Sequence, residues 1–264
     1  MVKKDVATIN KNTEAMPLSQ YIKNETMQSE LEKTLGDGAR EFTASVISLA
    51  NTTPAINNCE KKSVIAACLT AASFKLPIGS LGLAHIVPYN GKAQFQMGWK
   101  GFVQLAQRSG QFRTINATDV KEGEIKSHDR LSGEIEFEWV EDEREKKPTV
   151  GYVAYFELLN GFRKMHYMTA KELETHARRY SQSFKSGSGV WKDNFDAMAK
   201  KTVLKLLLAS YAPISVDPIM AKAIEEDQKA DGKYIDNMAH LDVERQNHPD
   251  IIDAEVLPDN GEIT

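Results

Sequence analysis

Residues 83–110, LAHIVPYNGKAQFQMGWKGFVQLAQRSG, carry two different periodicities in a short span. Leu83 to Tyr89 is strand-like, Asn90-Gly91 is the strongest two-residue signal for a type I′ turn, and Lys92 to Met97 alternates. On the return strand Ala93, Phe95 and Met97 share one face, while Lys92, Gln94 and Gln96 share the other. The period then changes from two to that of a helix. Trp99, Phe102, Val103 and Ala106 form an apolar stripe over Trp99 to Ser109, and Gly110 is placed as its left-handed C-terminal cap. Lys100, Gln104 and Arg108 recur at i, i+4, i+8 on another face of that helix. A hairpin that runs directly into a helix points to mixed α and antiparallel β structure.

The flanking segments extend that pattern. Upstream, Phe42, Val46, Leu49 and Ala50 show helical spacing, as do Val64, Ala67, Cys68, Ala71 and Ala72. The stretch from Leu76 to Gly82 then breaks the helix with Pro77 and two glycines. Downstream, strands are expected at about 111–121, 134–140, 149–159 and 162–168. In the second of these Ile135, Phe137 and Trp139 alternate with Glu134, Glu136 and Glu138. Asn160-Gly161 reads as another hairpin turn. Thr169 and Glu172 fit a capping box for a helix to about Tyr180. The loop SQSFKSGSG leads to a helix from Trp191 to Tyr211, which Pro213 ends, and one more helix is expected from Pro218 to Lys229. The fold class is therefore α+β, an antiparallel β-sheet backed by helices. Residues 1–20 are expected to be a flexible arm, 21–216 a core for binding and oligomerisation, and 217–264 an acidic C-terminal helix and tail.

The chain has 264 residues and a formal net charge of −4, which by itself speaks against a polyanion as partner. The charge is segregated, however. From Asp217 to Thr264 there are 13 acids and 4 bases, so the tail is expected to stay off a nucleic acid. The preceding residues hold 24 acids and 29 bases, and seven of those acids lie in Gly133–Glu145, GEIEFEWVEDERE, beside a single arginine. Outside that stretch the first 216 residues stand at +11. Such asymmetry marks a basic binding surface. Only Cys59 and Cys68 occur, with no zinc spacing, and no apolar run is long enough for a membrane span or a signal peptide. A cytoplasmic protein of a bacterial host cell, without membrane attachment, is the expectation.

No phosphate-binding loop, zinc-protease helix, nucleophile elbow or dinucleotide fingerprint is present, so no catalytic residues, metal or other cofactor are assigned. Cations set among amides and aromatics remain. Lys100 and Arg108 share a helix face. Arg113 and Lys121 are an even number of residues apart and should share a strand face. Arg178 and Arg179 end a helix beside Tyr180, and Lys185 lies in the Gly/Ser loop. Lys200 adjoins Lys201, which forms one narrow stripe with Lys205 on a helix otherwise apolar around its circumference. Lysines so placed either snorkel to solvent or meet an anion. With Gln94 and Gln96 on the hairpin, these residues form a candidate groove for DNA phosphates, which would bind without reading sequence and weaken with salt. A metal-dependent nuclease and a non-annealing scaffold or RNA chaperone are the competing readings.

The run from Pro54 to Gly110, together with WKDNFDAMAKKTVLKLLLASYAPIS near the end of the core, resembles the RecT family of phage and prophage recombination proteins. The likeness covers roughly residues 30–216. It implies ATP-independent annealing of single-stranded DNA in homologous recombination, with no enzyme activity, by a homo-oligomeric ring or helical filament carrying DNA along a basic groove. Expected partners are single-stranded DNA, the annealed duplex intermediate, a phage exonuclease and the host single-strand-binding protein.

Overall fold

A computed structural model describes residues 16–79, 81–129, 131–181, 184, 190–213 and 217–230. Its first layer is helical: α1 (Leu18–Tyr21), α2 (Glu25–Leu35), α3 (Ala39–Thr52) and α4 (Lys61–Ser73). Asn24 caps α2 by accepting the Thr26 N–H at 2.9 Å. Phe42, Val46, Leu49 and Ala50 are all buried, as are Val64, Ala67, Cys68 and Ala71, while Ala72 is half-buried. Burial pushes the Cys68 thiol up to about 12, as suits an inert, small apolar side chain. The expected arm of residues 1–20 needs correction from Met16 onward. Leu18 and Ile22 are 2% and 0% exposed, because Leu18, Tyr21 and Ile22 recur at helical spacing and enter the core. Residues 1–15 lie outside the described residues.

The hairpin and helix at 83–110 form as their sequence indicates. Strands β1 (Ala84–Tyr89) and β2 (Lys92–Met97) pair antiparallel with Tyr89 opposite Lys92. Asn90 and Gly91 take φ of 47° and 75°, the two positive values that a type I′ turn requires. Helix α5 (Trp99–Ser109) ends at Gly110 in the left-handed region, φ 68° and ψ 8°. Its approach to β1 depends on glycine. A Cβ on Gly101 would collide with the Leu83 carbonyl oxygen and lie 2.5 Å from Met97 Sδ.

A three-stranded antiparallel sheet follows, in the order β3 (Phe112–Lys121), β6 (Thr149–Leu158), β7 (Arg163–Thr169). Between β3 and β6 the chain makes a separate hairpin, β4 (Ile125–His128) with β5 (Ile135–Phe137). The strand expected at 134–140 is thus shorter, and its partner β4 carries no apolar alternation to mark it in the sequence. The Asn160-Gly161 turn is wider than expected. Gly161 alone of the two has positive φ, and Asn160 Oδ1 accepts the Phe162 N–H at 2.9 Å across a four-residue loop. Ala117, Tyr152, Ala154 and Phe156 face the core. Thr114, Asn116, Thr118, Val153 and Tyr155 line the opposite face of the sheet, beside Phe137 and Trp139.

Helix α6 (Ala170–Tyr180) starts with the expected capping box: Thr169 Oγ1 accepts the Glu172 N–H at 3.1 Å, and Glu172 Oε2 accepts the Thr169 N–H at 2.8 Å. The single helix expected from Trp191 to Tyr211 is two, α7 (Val190–Asp193) and α8 (Phe195–Tyr211). Asn194 interrupts them at φ −149° and caps α8 through the Ala197 N–H at 3.4 Å. Helix α8 packs on all three strands of the sheet and on α5. Helix α9 (Pro218–Ala230) closes the described structure against β2 and α5, with Met220, Ala223 and Ile224 buried.

Gly101→Ala is expected to lower stability by about 1–3 kcal/mol through overpacking, because a backbone carbonyl cannot swing aside as a side chain would. Thermal denaturation checks this; an unchanged melting temperature would contradict the packing described.

Candidate nucleic-acid interface

Lys201 and Lys205 lie one turn apart on α8, among Ala199, Val203, Leu204, Leu207 and Leu208, all buried. An ammonium in such surroundings needs a counter-charge. Asp227 of α9 supplies it. Lys201 Nζ lies 2.7 Å from Asp227 Oδ1, and Lys205 Nζ lies 2.8 Å from Oδ2. The Met97 N–H at the end of β2 donates to Oδ1 at 2.9 Å. Asp227 is 0% exposed and each lysine 4%. Burial pushes the Asp227 carboxyl up, but the two ammoniums outweigh it and hold the group well below the ordinary aspartate range. The anion that these lysines meet is therefore the protein's own carboxylate. Their expected role as surface phosphate contacts needs correction: in this structure both are buried parts of the fold.

The other expected cations fall into distinct environments. Lys200 pairs with Asp196 at 2.8 Å and Arg113 with Glu157 at 2.9 Å. Lys121 lies 3.3 Å from Asp119 and donates to Thr149 Oγ1 at 2.7 Å. The expectation that Arg113 and Lys121 share a face fails. The register shift between Phe112 and Thr114 sets an extra residue, Arg113, in β3 and breaks its two-residue period there, whereas the shift between Val120 and Lys121 sets its extra residue, Val150, in β6. Arg113 pairs with Glu157, cross-strand neighbour of Thr114 on the outer face; Lys121 pairs with Asp119, cross-strand neighbour of the core residue Tyr152. Arg178 and Arg179 are exposed at the end of α6, 5.3 Å from the rings of Phe184 and Tyr180 respectively. Lys185 lies outside the described residues. Gln94 and Gln96 are half-buried on β2, opposite Val87 and His85.

Lys100 and Arg108 are exposed on one face of α5, about 12 Å apart along the axis at 1.5 Å per residue. Arg108 Nη1 donates to the Phe74 carbonyl at 2.7 Å, meeting an open acceptor at the end of α4. Two cations that the sequence reading did not select join it. Lys75, the next residue in the chain, is exposed at a φ of 52°, and Lys222 Nζ of α9 lies 6.0 Å from the Phe74 ring centroid. Among the described residues none of Lys75, Lys100, Arg108 and Lys222 has a carboxylate within ion-pair distance. The sequence signal for Lys75 was its place just before the Pro/Gly loop. Lys222 was hidden by being counted with the acidic tail. Together they make a cationic face around the end of α4 and the length of α5, while Arg178 and Arg179 belong to a different element, α6.

The model of the RecT family matches residues 40–240. The chain belongs to the RecT family. It is 44% identical over 235 residues to the uncharacterized protein YqaK of Bacillus subtilis, covering 88% of this chain and 77% of that one. It is 29% identical over 231 residues to protein RecT of Escherichia coli, covering 79% of each. RecT membership supports single-stranded DNA binding and annealing in recombination, and it implies self-association.

Asp227→Asn leaves two ammoniums buried without their counter-charge, and a loss of about 3–5 kcal/mol is expected in denaturant unfolding. The sign with pH follows from the depressed carboxyl. Its stabilisation is fully present above about pH 4, the unfolded-state value, and is lost as pH falls toward the folded-state value. The variant should therefore lose less stability than the parent between about pH 4 and pH 2. Equal acid slopes for the two proteins would contradict the assignment.

Proposed function

We propose that this RecT-family protein anneals complementary DNA strands without a nucleotide cofactor, holding the first strand by its phosphates on the face of Lys75, Lys100, Arg108 and Lys222. Family membership over residues 40–240 is the observation that carries annealing. That these four neighbouring cations have no carboxylate within ion-pair distance among the described residues is what favours this face, because a cation already paired attracts a phosphate less. Gln94 and Gln96 precede α5 in the chain and could bond to sugar or backbone oxygens. Arg178 and Arg179, each beside an aromatic ring, suit a second stretch of strand or the incoming one. Arg113, Lys121 and Lys200, engaged by carboxylates, would contribute to the field more than to contact.

The mechanism is electrostatic. Phosphate contacts leave the base edges of the first strand open to search by a second strand, and they carry no sequence information. The cations reduce repulsion between two backbones, and base pairing supplies the driving free energy. No group in this scheme needs to break a covalent bond, so the protein acts as a binding surface rather than an enzyme. An exonuclease that exposes single strands and the host's single-strand-binding protein are its expected partners in the cytoplasm, and a ring or filament of subunits would extend the face along DNA.

Annealing of complementary fluorophore- and quencher-labelled strands, with magnesium and without nucleotide, tests the reading. Duplex should form faster with protein than without, and the strands should stay intact; slower pairing or strand cleavage would sink it. Single-stranded DNA affinity should also fall with salt. Lys100→Gln should reduce the log–log slope by about 0.7, the loss of one phosphate contact. An unchanged slope removes Lys100 from the interface.

A further inference from the structure

The segment after β5 lays two aromatic rings on the outer face of the sheet, the side away from α8. Phe137 and Trp139 stack at 4.8 Å between ring centroids with planes 10° apart, and Trp139 remains 49% exposed. Phe137 thus covers one face of the indole and leaves the other to a further ring. Beside the pair opens a cavity of about 310 Å³, lined also by Tyr155, Met165, Thr114 and Asn116. Its size is at the low end for small-ligand sites, roughly 300–1,000 Å³. Asn116 Oδ1 accepts the Ala117 N–H at 2.9 Å, which leaves the amide N–H groups of Asn116 to donate to an occupant. A half-open aromatic stack with a hydroxyl and an amide beside it suits a flat, polar ring held by its face and by its edge.

The rim is mixed in sign, and its charges are sorted along the strands. At one end Thr114, Glu157 and Arg163 are cross-strand neighbours, with Arg113 paired to Glu157 at 2.9 Å and Arg163 to Glu134 at 3.4 Å. Both pairs are exposed, so they hold their partners weakly. At the other end Arg144 ties the acidic turn to Asp119 at 3.3 Å, about 17 Å farther along β3 at 3.4 Å per residue. Glu136 and Glu138 alternate with the two rings and so leave the chain on its other side. A negatively charged backbone therefore meets least repulsion at the arginine end. That end adjoins the proposed DNA face, because Arg113 follows Arg108 of α5 by five residues, no more than about 18 Å of chain. We propose that the slot beside Phe137 and Trp139 holds one unpaired nucleobase of the strand whose phosphates lie along α5. The proposal rests on the annealing reading for its strand and adds a base subsite to a face otherwise made of phosphate contacts. Stacking accepts any base, since each has a π-face. One base anchored in each subunit fixes the strand's position, while the bases along α5 stay open to the second strand.

An oligothymidine strand and an abasic strand of the same length carry the same phosphates, so the ratio of their affinities isolates contact with bases. Trp139→Ala should weaken binding of the thymidine strand by roughly tenfold, the loss of one stacked base, and leave binding of the abasic strand and the salt slope as in the parent. Trp139→Phe should keep most of the ratio, and both variants should melt near the parent because Trp139 is half exposed. Irradiating the parent on a strand containing 5-iododeoxyuridine should cross-link the peptide that carries Phe137 and Trp139. Equal losses for the two strands, a ratio unchanged in Trp139→Ala, or cross-links confined to other peptides would each overturn the proposal. A ratio that survives Trp139→Ala in a protein that still anneals would sink the base subsite alone. A ratio and cross-link as expected in a protein that slows pairing would sink the annealing reading alone.

Discussion

One buried carboxylate joins three segments that are far apart in sequence. Asp227 on α9 takes two ammoniums from α8 and a backbone N–H from β2. Removing three ions from water costs several kcal/mol each, and the arrangement holds only because every partner is within hydrogen-bond distance. That requirement fixes where α9 lies, and α9 in turn covers β2 and α5 with Met220, Ala223 and Ile224. The face of α5 that carries Lys100 and Arg108 is thus oriented by charges that never reach the surface.

The same constraint sorts the lysines and arginines by what they can do. Lys201 and Lys205 are structural. Lys200, Arg113 and Lys121 are held by carboxylates at the surface or half beneath it, pairs worth little to stability but enough to blunt each cation's pull on a phosphate. Lys75, Lys100, Arg108 and Lys222 have no carboxylate within ion-pair distance among the described residues. The acidic hairpin is the counterpart. Its arginine faces inward while its carboxylates face out, so segregation along the sequence becomes segregation over the surface.

Much of the fold was legible because local chemistry and tertiary structure agree. Asn90-Gly91, Gly110 and the Thr169–Glu172 box each specify a backbone conformation by themselves, and each is found. The misreadings have physical causes. Strand β4 has no alternating apolar pattern, since Lys126, Ser127 and His128 are all exposed and Ile125 is only half-buried. The bulge at Arg113 in β3 undoes the two-residue count that placed Arg113 with Lys121. Asn194 is a capping residue inside an apolar helical run, and its role shows only in the break it makes. Asp227 sits in a helical stripe with Met220, Ala223 and Ile224, a pattern that signals burial. Counting it among the tail's acids concealed that signal, and with it the fate of Lys201 and Lys205. What a buried lysine meets is a long-range fact that spacing within its own helix cannot supply.

The division between structural and surface cations is most directly tested by lysine acetylation read by mass spectrometry, with and without single-stranded DNA. The account predicts that Lys75, Lys100 and Lys222 react in the free protein and are protected by DNA, while Lys201 and Lys205 react in neither state until the protein unfolds. Reactive Lys201 and Lys205 that DNA protects, with Lys75, Lys100 and Lys222 unaffected, would contradict it.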